Sequence, residues 1–590
     1  MQAAIEALPD TVVAPRTDPV YNCHAYLTKV PIAAIQPFID AFSKAGETVV
    51  DLFAGSGMTG LAARSRGRNA ILSDISVLGQ HIGRGYLTEA PPGELRLAAK
   101  KVMAAARGAM GELYRTIRIS DGADVELVRT VWSFTYLCPQ CESPLVFFDE
   151  VAGGGPTPKE CPTCHGPFER RRWQRGADVP VEVVVDDARG RQCTQPVQNV
   201  DQDRIKQAQA DSRLAHVPSL TIDQQREMYS RSGLGKAGMT KTADFFSPRN
   251  AIALLELWKA IEGIEAKDLR QKLQFAFTAI LARASKRYQW SAKRPLNAQN
   301  QTYYIAPVYY EWNVFELFER KVEASIRANE ELTRNAEPLF GASANVQYEL
   351  ASAATLSHLA DVSVDYIFTD PPFGSNIFYS DMSLFHEAWL GRTTDSSTEA
   401  VVHTTGTRKA GAADRYEALL RGAFSEAFRV LKPGRYMSVV FGNSNGKVWG
   451  LVQRALRDAG FRDAPVHVAI LDKGQRSVKG LNSGSEGVVT VDLVLTVRKP
   501  ESAPSTMITN AKPASTIGLI QHVIGSIAPG TARNPSHVYA LVLKEAIRQH
   551  LTLDDLHLSD VLLALSGAGY AIDKKTGLLT WEATKPQEAA

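Results

Sequence analysis

Glu47-Thr48-Val49-Val50-Asp51-Leu52-Phe53-Ala54-Gly55-Ser56-Gly57-Met58-Thr59-Gly60 is the stretch on which the reading of this chain turns. The β-branched run ending at Asp51 has the composition of a short buried strand. It stops at Ala54-Gly55-Ser56-Gly57 and gives way to Leu61-Ala62-Ala63-Arg64, so the order is strand, tight turn, helix. Gly55, Gly57 and Gly60 satisfy G-x-G-x-x-G in that context, and such glycines let backbone approach a nucleotide-type ligand. Ala70-Ile71-Leu72-Ser73-Asp74 follows as a second strand. Its terminal carboxylate lies 17 residues beyond Gly57, where it can accept hydrogen bonds from both ribose hydroxyls of such a ligand. This start predicts a parallel α/β sheet. Dinucleotides and S-adenosylmethionine both carry the ribose, so the loop alone does not choose between them.

A second motif makes the choice. Asp370-Pro371-Pro372-Phe373 directly follows the strand-like run Val364-Asp365-Tyr366-Ile367-Phe368-Thr369 and precedes Gly374-Ser375-Asn376. Two consecutive prolines cannot continue a paired central strand, so the chain must leave the sheet at its carboxyl edge, where ligands bind in open α/β sheets. An aromatic amino group is a poor nucleophile because its lone pair is delocalised into the ring. A carboxylate and a backbone carbonyl accepting its two N–H bonds would favour a more tetrahedral nitrogen, with the lone pair aimed at a methyl sulfonium. Asp370 and the Pro371 carbonyl are the candidate acceptors, and Phe373 offers a ring on which an extruded base can stack.

The two motifs together resemble the amino-methyltransferase family of DNA methylases, which modify N6 of adenine or N4 of cytosine. The resemblance implies an α/β fold: a seven-stranded, Rossmann-like, S-adenosylmethionine-dependent methyltransferase core, its first half in residues 20–85 and its second in 341–500. Carried over residue by residue, Asp51, Phe53, Gly55 and Gly57 would line the methionine end of the cofactor and Asp74 its ribose, with Ala54 and Ile75 completing the set. Lys29, in Thr28-Lys29-Val30-Pro31, would lie in the segment closing over the cofactor, and Asp370, Pro371, Pro372 and Phe373 would face the target base.

Between the halves, residues 86–340 form an insertion. Four of the six cysteines occur there as Cys138-Pro-Gln-Cys141 and Cys161-Pro-Thr-Cys164, with 19 residues between the pairs, a spacing that fits a structural four-cysteine zinc site. His165 is the one neighbour that could compete with Cys164. This ribbon, with Phe246-Ser247-Pro248-Arg249-Asn250 and Asn300-Gln301-Thr302-Tyr303-Tyr304-Ile305-Ala306-Pro307, is similar to the zinc-ribbon-containing adenine-specific DNA methylases. The insertion is the candidate target-recognition region. After a Pro- and Ser-containing linker, residues 514–590 read as helices followed by a hairpin, a small winged-helix-like module.

At 590 residues the chain is too long for one core, and about three to four structural units are expected. No apolar run approaches the roughly 18 residues of a membrane span, and Met1 to Pro19 does not read as a secretory signal, so a cytoplasmic location without membrane contact is expected. The net charge of +3 neither demands nor excludes a polyanionic partner, so charge has to be read locally. Arg170-Arg171-Arg172-Trp173-Gln174-Arg175, the stretch from Arg283 through Lys286-Arg287-Tyr288-Gln289-Trp290 to Lys293-Arg294, and Lys473 to Lys479 are candidate contacts to double-stranded DNA. The expectation is a site-specific adenine-N6 DNA methyltransferase. The alternatives are N4-cytosine methylation, an RNA base amino-methyltransferase and a non-catalytic nucleic-acid-binding subunit. Helicase or nuclease partners of a restriction-modification or phage-defence system would accompany the methyltransferase. Methylation at a pyrimidine ring carbon is disfavoured, because no Pro-Cys dipeptide supplies a nucleophile.

Overall fold

The computed structural model describes residues 5–13, 18–155, 157–235, 238–292, 303–334, 344–374, 377–461, 465–472, 489–501, 512, 515–527, 533–573 and 576–581. Its largest sheet contains β1 (Thr11–Val13), β2 (Thr48–Asp51), β3 (Asn69–Asp74), β4 (Val346–Leu350), β5 (Val364–Thr369), β6 (Leu431–Phe441), β7 (His467–Asp472) and β8 (Asp492–Arg498). Their order across the sheet is β1-β7-β8-β6-β5-β2-β3-β4. The strands from β6 to β4 run parallel, whereas β8 is antiparallel to both β6 and β7. The sheet therefore has eight strands where seven were expected. The extra one, Thr11–Val13, precedes residue 20 and pairs in parallel with β7.

β2 is the point where the order reverses. β3 and β4 extend the sheet on one side of it and β5 and β6 on the other, with Val49 opposite Tyr366 and Val50 opposite Ile367. The turn after β2 and the turn after β5 thus leave the same sheet edge as neighbours, the arrangement that opens a crevice in α/β sheets. β5 is buried at every position, as a strand covered on both faces should be; its one charged residue, Asp365, is held by Lys432 at 2.6 Å and by Thr48 N at 3.0 Å.

The long excursion between β3 and β4 does not disturb this register, because Val346 returns beside Ala70. It builds an antiparallel sheet of its own from Gln192–Pro196, Val179–Asp186, Asp124–Ser133 and Val308–Trp312. Helix α1 (Met58–Ser65) follows β2, and α2 (Val77–Leu87) follows β3 and leads into the excursion, whose longer helices are Pro92–Met110, α3 (Pro248–Glu262) and Val314–Arg334. The Ser247-Pro248-Arg249-Asn250 stretch is an internal node of this region. Glu311 accepts from Trp132 Nε1 at 2.8 Å and from Ser247 and Arg249, and Asn250 donates to the carbonyls of Ala284 at 2.8 Å and Trp312 at 3.0 Å. Burial opposes the Glu311 charge, but the Arg249 guanidinium overcomes it and holds the carboxyl below its ordinary range. The insertion's apolar interior also takes in Phe385 and Trp389 of α4 (Tyr379–Leu390), the helix that follows the Asp370-Pro371-Pro372-Phe373 turn.

The C-terminal stretch supplies helices Thr516–Gly525, Pro535–Arg548 and Leu558–Gly567 and an antiparallel hairpin of Tyr570–Ile572 with Leu579–Trp581. It shares one apolar interior with β2, β5 and β6. α5 (Gly446–Ala459) is where it docks: a Cβ on Gly446 would stand 2.5 Å from the carbonyl oxygens of Leu553 and Leu556, so only glycine admits the contact. Arg454 pairs with Asp554 at 2.7 Å beside it. Among the described residues, no helix is long and apolar enough to cross a membrane.

Candidate active site

The carboxyl ends of β2 and β5 are tied together. Thr369 Oγ1 donates to Asp51 Oδ1 at 2.9 Å although the two residues are 318 positions apart, and Asp51 also accepts from Thr59 Oγ1 at 2.6 Å and Phe53 N at 3.1 Å. Burial raises the Asp51 carboxyl to about 6 against these three hydrogen bonds, which favour its charge. Asp370 follows Thr369 directly, so this bond registers the Asp370-Pro371-Pro372-Phe373 turn against the glycine turn.

One cavity joins the two turns. Its lining includes Asp51, Phe53, Ala54, Gly55, Asp74 and Ile75 from the first half and Asp370 and Pro372 from the second. Asp74 accepts from Gly55 N at 2.7 Å through Oδ2 and from Ser76 N at 2.8 Å through Oδ1, and burial raises its carboxyl. Gly55 has φ +49°, and a Cβ there would lie 2.8 Å from the Tyr26 ring; the missing side chain is what lets Tyr26 cover the turn. The chemistry of this donor set suits a nucleoside: a glycine turn open to close approach, a carboxylate at the end of β3, and apolar Ile75 and Ala353 on the wall.

Several expected residues are placed differently. Gly57 is not part of the cavity lining; it has φ +81° as the N-cap of α1, and a Cβ there would meet Gly83 Cα at 3.2 Å, so it serves helix packing. Lys29 lines the cavity, but its ammonium donates to the carbonyls of His24 at 2.6 Å and of Tyr21, and burial lowers it to about 7. Its charge is engaged by the backbone of residues 21–24. Pro371 is buried and is not part of the lining, yet among the described residues no group donates to its carbonyl. The next two carbonyls are taken: Tyr416 OH donates to Pro372 at 2.6 Å and Asn443 Nδ2 to Phe373 at 2.9 Å. The Phe373 ring also leaves the cavity and packs edge-on against Phe441, centroids 5.0 Å apart.

Other residues enter the site that no motif announces. Tyr26, Thr28, Tyr379, Ser380 and Glu399 all line the cavity. Thr28, at φ +59°, bonds through Oγ1 to Tyr379 OH at 2.7 Å. A β-branched residue at positive φ is costly, and here the strain sits at the cavity wall. Burial raises Glu399 to about 7, opposed by hydrogen bonds from Ser380 and the Tyr379 backbone. Tyr26, Thr28 and Glu399 are single residues in loops and Tyr379 and Ser380 open α4, and only Thr28 belonged to a stretch the sequence marked.

Residues 11–77 match the DNA methylase family. The matching model is that of the N6/N4 methyltransferases, and the segment holds β1 to β3 and the glycine turn of the cavity just described. No curated protein matches the chain. Among solved structures, a proposed DNA modification methylase from Thermus thermophilus is 16% identical, covering 29% of this chain and 60% of its own, with TM-score 0.16. A SAM-dependent methyltransferase from Methanosarcina mazei is 15% identical, covering 30% of this chain and 78% of its own, with TM-score 0.16. The match thus spans less than two thirds of the Thermus chain.

Away from residues 11–77, Cys138, Cys141, Cys161 and Cys164 converge, with all four Sγ atoms within 4.8 Å of one another. Cys138 and Cys164 are 3.6 Å apart and Cys141 and Cys161 3.7 Å. Zinc–thiolate bonds of about 2.3 Å make a tetrahedron with edges of roughly 3.8 Å, so the sulfurs fit that ion. Each pair is followed by a left-handed residue, Glu142 at φ 58° and His165 at φ 57°, whose N–H bonds back to the carbonyl of Cys138 or Cys161. His165 therefore forms the turn, with its ring turned to Glu160 at 3.3 Å, and is outside the ligand set.

The two described basic clusters diverge. Arg171 and Arg172 are exposed and Arg170 lies over Tyr304 at 5.8 Å. Arg287 and Tyr288 are buried instead, and Arg287 sits 5.1 Å from the Tyr303 ring centroid. The centre of the second cluster is thus interior packing, while Arg283, Lys286, Gln289 and Trp290 are half-buried. Lys293, Arg294, Asn300 to Thr302 and Lys473 to Lys479 lie outside the described residues.

Proposed function

We propose that this chain is a DNA methyltransferase that uses S-adenosylmethionine to methylate N6 of adenine. The observation that carries the reading is the shared cavity: the glycine turn after β2 and Asp370 after β5 line one crevice at the point where the strand order reverses. In this reading β2 to β8 are the seven-stranded methyltransferase core, with β1 added at its edge. Residues 86–340 are the target-recognition insertion with a zinc ribbon, and the C-terminal helices and hairpin are winged-helix-like.

The cofactor, when bound, supplies an electrophilic methyl sulfonium. Asp74 accepts from the ribose hydroxyls, while Asp51 holds Thr369 and thereby sets the distance between the two turns. Asp370, on the cavity wall, would accept one N–H of the target amino group and the Pro371 carbonyl, although Pro371 is not itself part of the lining, would accept the other, freeing the lone pair for attack. The carboxylate also stabilises the positive charge that grows on nitrogen as the new bond forms. Tyr26 and Thr28 line the crevice and would help to keep water from it. Cys138, Cys141, Cys161 and Cys164 would hold a structural zinc, all four positions being filled by thiolates.

The setting that fits is cytoplasmic restriction-modification or phage defence beside a helicase or nuclease, with double-stranded DNA as substrate. The test is methyl transfer from labelled cofactor to duplex DNA, followed by nucleoside analysis. N6-methyladenine is expected; N4-methylcytosine would reassign the base while keeping the chemistry. Asp370→Ala should abolish transfer and leave cofactor affinity within a few-fold, and retained turnover in that variant would remove Asp370 from the mechanism.

A further inference from the structure

A methylase that extrudes its target needs an aromatic surface to receive the base, and the expected one is turned away. Phe373 packs against Phe441, and its carbonyl is held by Asn443. Tyr379, at the start of α4, lines the cavity together with Asp370. Its ring lies nearly parallel to that of Tyr26, with an interplanar angle of 27° and centroids 6.2 Å apart. Asp370 is also close enough for its charge to add to burial in raising the Tyr379 phenol.

The Tyr379 side chain and the backbone around it are fixed from three directions. Glu399 acts as a remote cap for α4, accepting from Ser380 N at 3.0 Å and from the Ser380 hydroxyl. Asp381, two positions on, is held by Arg226 at 2.8 Å and by Met228 N at 3.1 Å, both from the insertion. Thr28 holds the phenol itself. A side chain clamped this firmly, beside the carboxylate that would meet the amino group, has the preorganisation that a stacking surface needs.

We propose that Tyr379, and not Phe373, is the surface on which the extruded base stacks, and that Glu399 is the positioning residue that fixes it. This rests on the methyltransferase reading above. The base would enter beside the Tyr379 ring with its amino group towards Asp370, and the Thr28–Tyr379 hydrogen bond would tie its arrival to closure of the residues that cover the cofactor.

The experiment uses the full-length protein with S-adenosylhomocysteine and a duplex carrying 2-aminopurine at an adenine that the wild-type protein methylates. With wild type, the extruded 2-aminopurine should remain quenched by the tyrosine ring. Tyr379→Ala should brighten it several-fold and lower kcat/KM by about ten- to a hundredfold, in line with the loss of one base–aromatic stack, with cofactor affinity within a few-fold. Tyr379→Phe keeps the ring and should restore the quench, and Phe373→Ala should leave the quench in place. Glu399→Ala should brighten the probe partway. Brightening in Phe373→Ala but not in Tyr379→Ala would overturn the inference. So would a loss of cofactor affinity in Tyr379→Ala as large as its loss of activity, which would assign the ring to the cofactor. If the wild-type protein methylates no adenine in any DNA, the function fails and takes this inference with it; a normal wild-type signal with an indifferent Tyr379→Ala sinks the stacking alone.

Discussion

The four-cysteine cluster and the cavity at the β2–β5 edge are both assembled from short motifs, but they are assembled over different distances. All four thiols come from residues 138–164, and each pair closes its own turn through the left-handed residue that follows it. The cavity takes residues from Tyr26 to Leu419, and its registration depends on a bond between Thr369 and Asp51. A locally closed motif keeps its geometry wherever the chain carries it. A long-range site exists only once the sheet has formed, and it recruits whatever side chains the neighbouring loops present. That is why the cysteine set contains the four residues its spacing announced, while the cavity wall leaves out Gly57, Pro371 and Phe373 and takes in Tyr26, Tyr379 and Glu399.

This contrast can be broken most forcefully at the cysteines. Zinc should be present at about one ion per chain by elemental analysis, and Cys138→Ser or strong chelation should unfold the ribbon, because metal affinity in such a site is itself folding free energy. Limited proteolysis should then cut within residues 138–164 while cofactor affinity at the core changes little. A metal-free protein with normal protease resistance would show that the cluster is not a metal site.

A smaller effect separates the cavity from the cysteines by pH. Glu399 stands at about 7 in the folded chain against an ordinary 4.5, so the folded state holds its proton more tightly than the unfolded state. Its favourable contribution is fully present below about pH 4.5 and is lost as pH rises through 7, a swing on the order of 3 kcal/mol if the shift is taken whole. Glu399→Gln should therefore flatten the fall in stability between about pH 5 and pH 8, as read by urea denaturation. An unchanged slope would mean that the carboxyl titrates normally.

The smallest effect concerns the two basic stretches, whose similar compositions meet opposite fates. Arg171→Gln with Arg172→Gln should weaken DNA binding and reduce the salt slope by up to about 0.9 for each phosphate that is no longer neutralised. Arg287→Met should leave the slope alone and lower stability, since its guanidinium is buried over Tyr303. An unchanged salt slope in the Arg171/Arg172 variant would clear that patch of DNA contact.

The sequence by itself determined the features whose physics is local. The β2 strand, the glycine bend and the acidic end of β3 follow from β-branched residues, glycine's access to positive φ and a 17-residue spacing. The proline pair after Thr369 forces an exit from the sheet, and two Cys-x-x-Cys pairs dictate their own turns. Tertiary structure alone decided that β4 returns beside β3 after the insertion, that β1 adds an eighth strand, and that the C-terminal helices share the core's interior. It also decided which way each aromatic ring faces. Phe373 and Tyr379 are six residues apart, and no local pattern distinguishes a ring aimed at Phe441 from one aimed into the crevice. Strand pairing and side-chain direction at a loop depend on contacts with residues far away in the chain, and those contacts come into being only when the sheet closes.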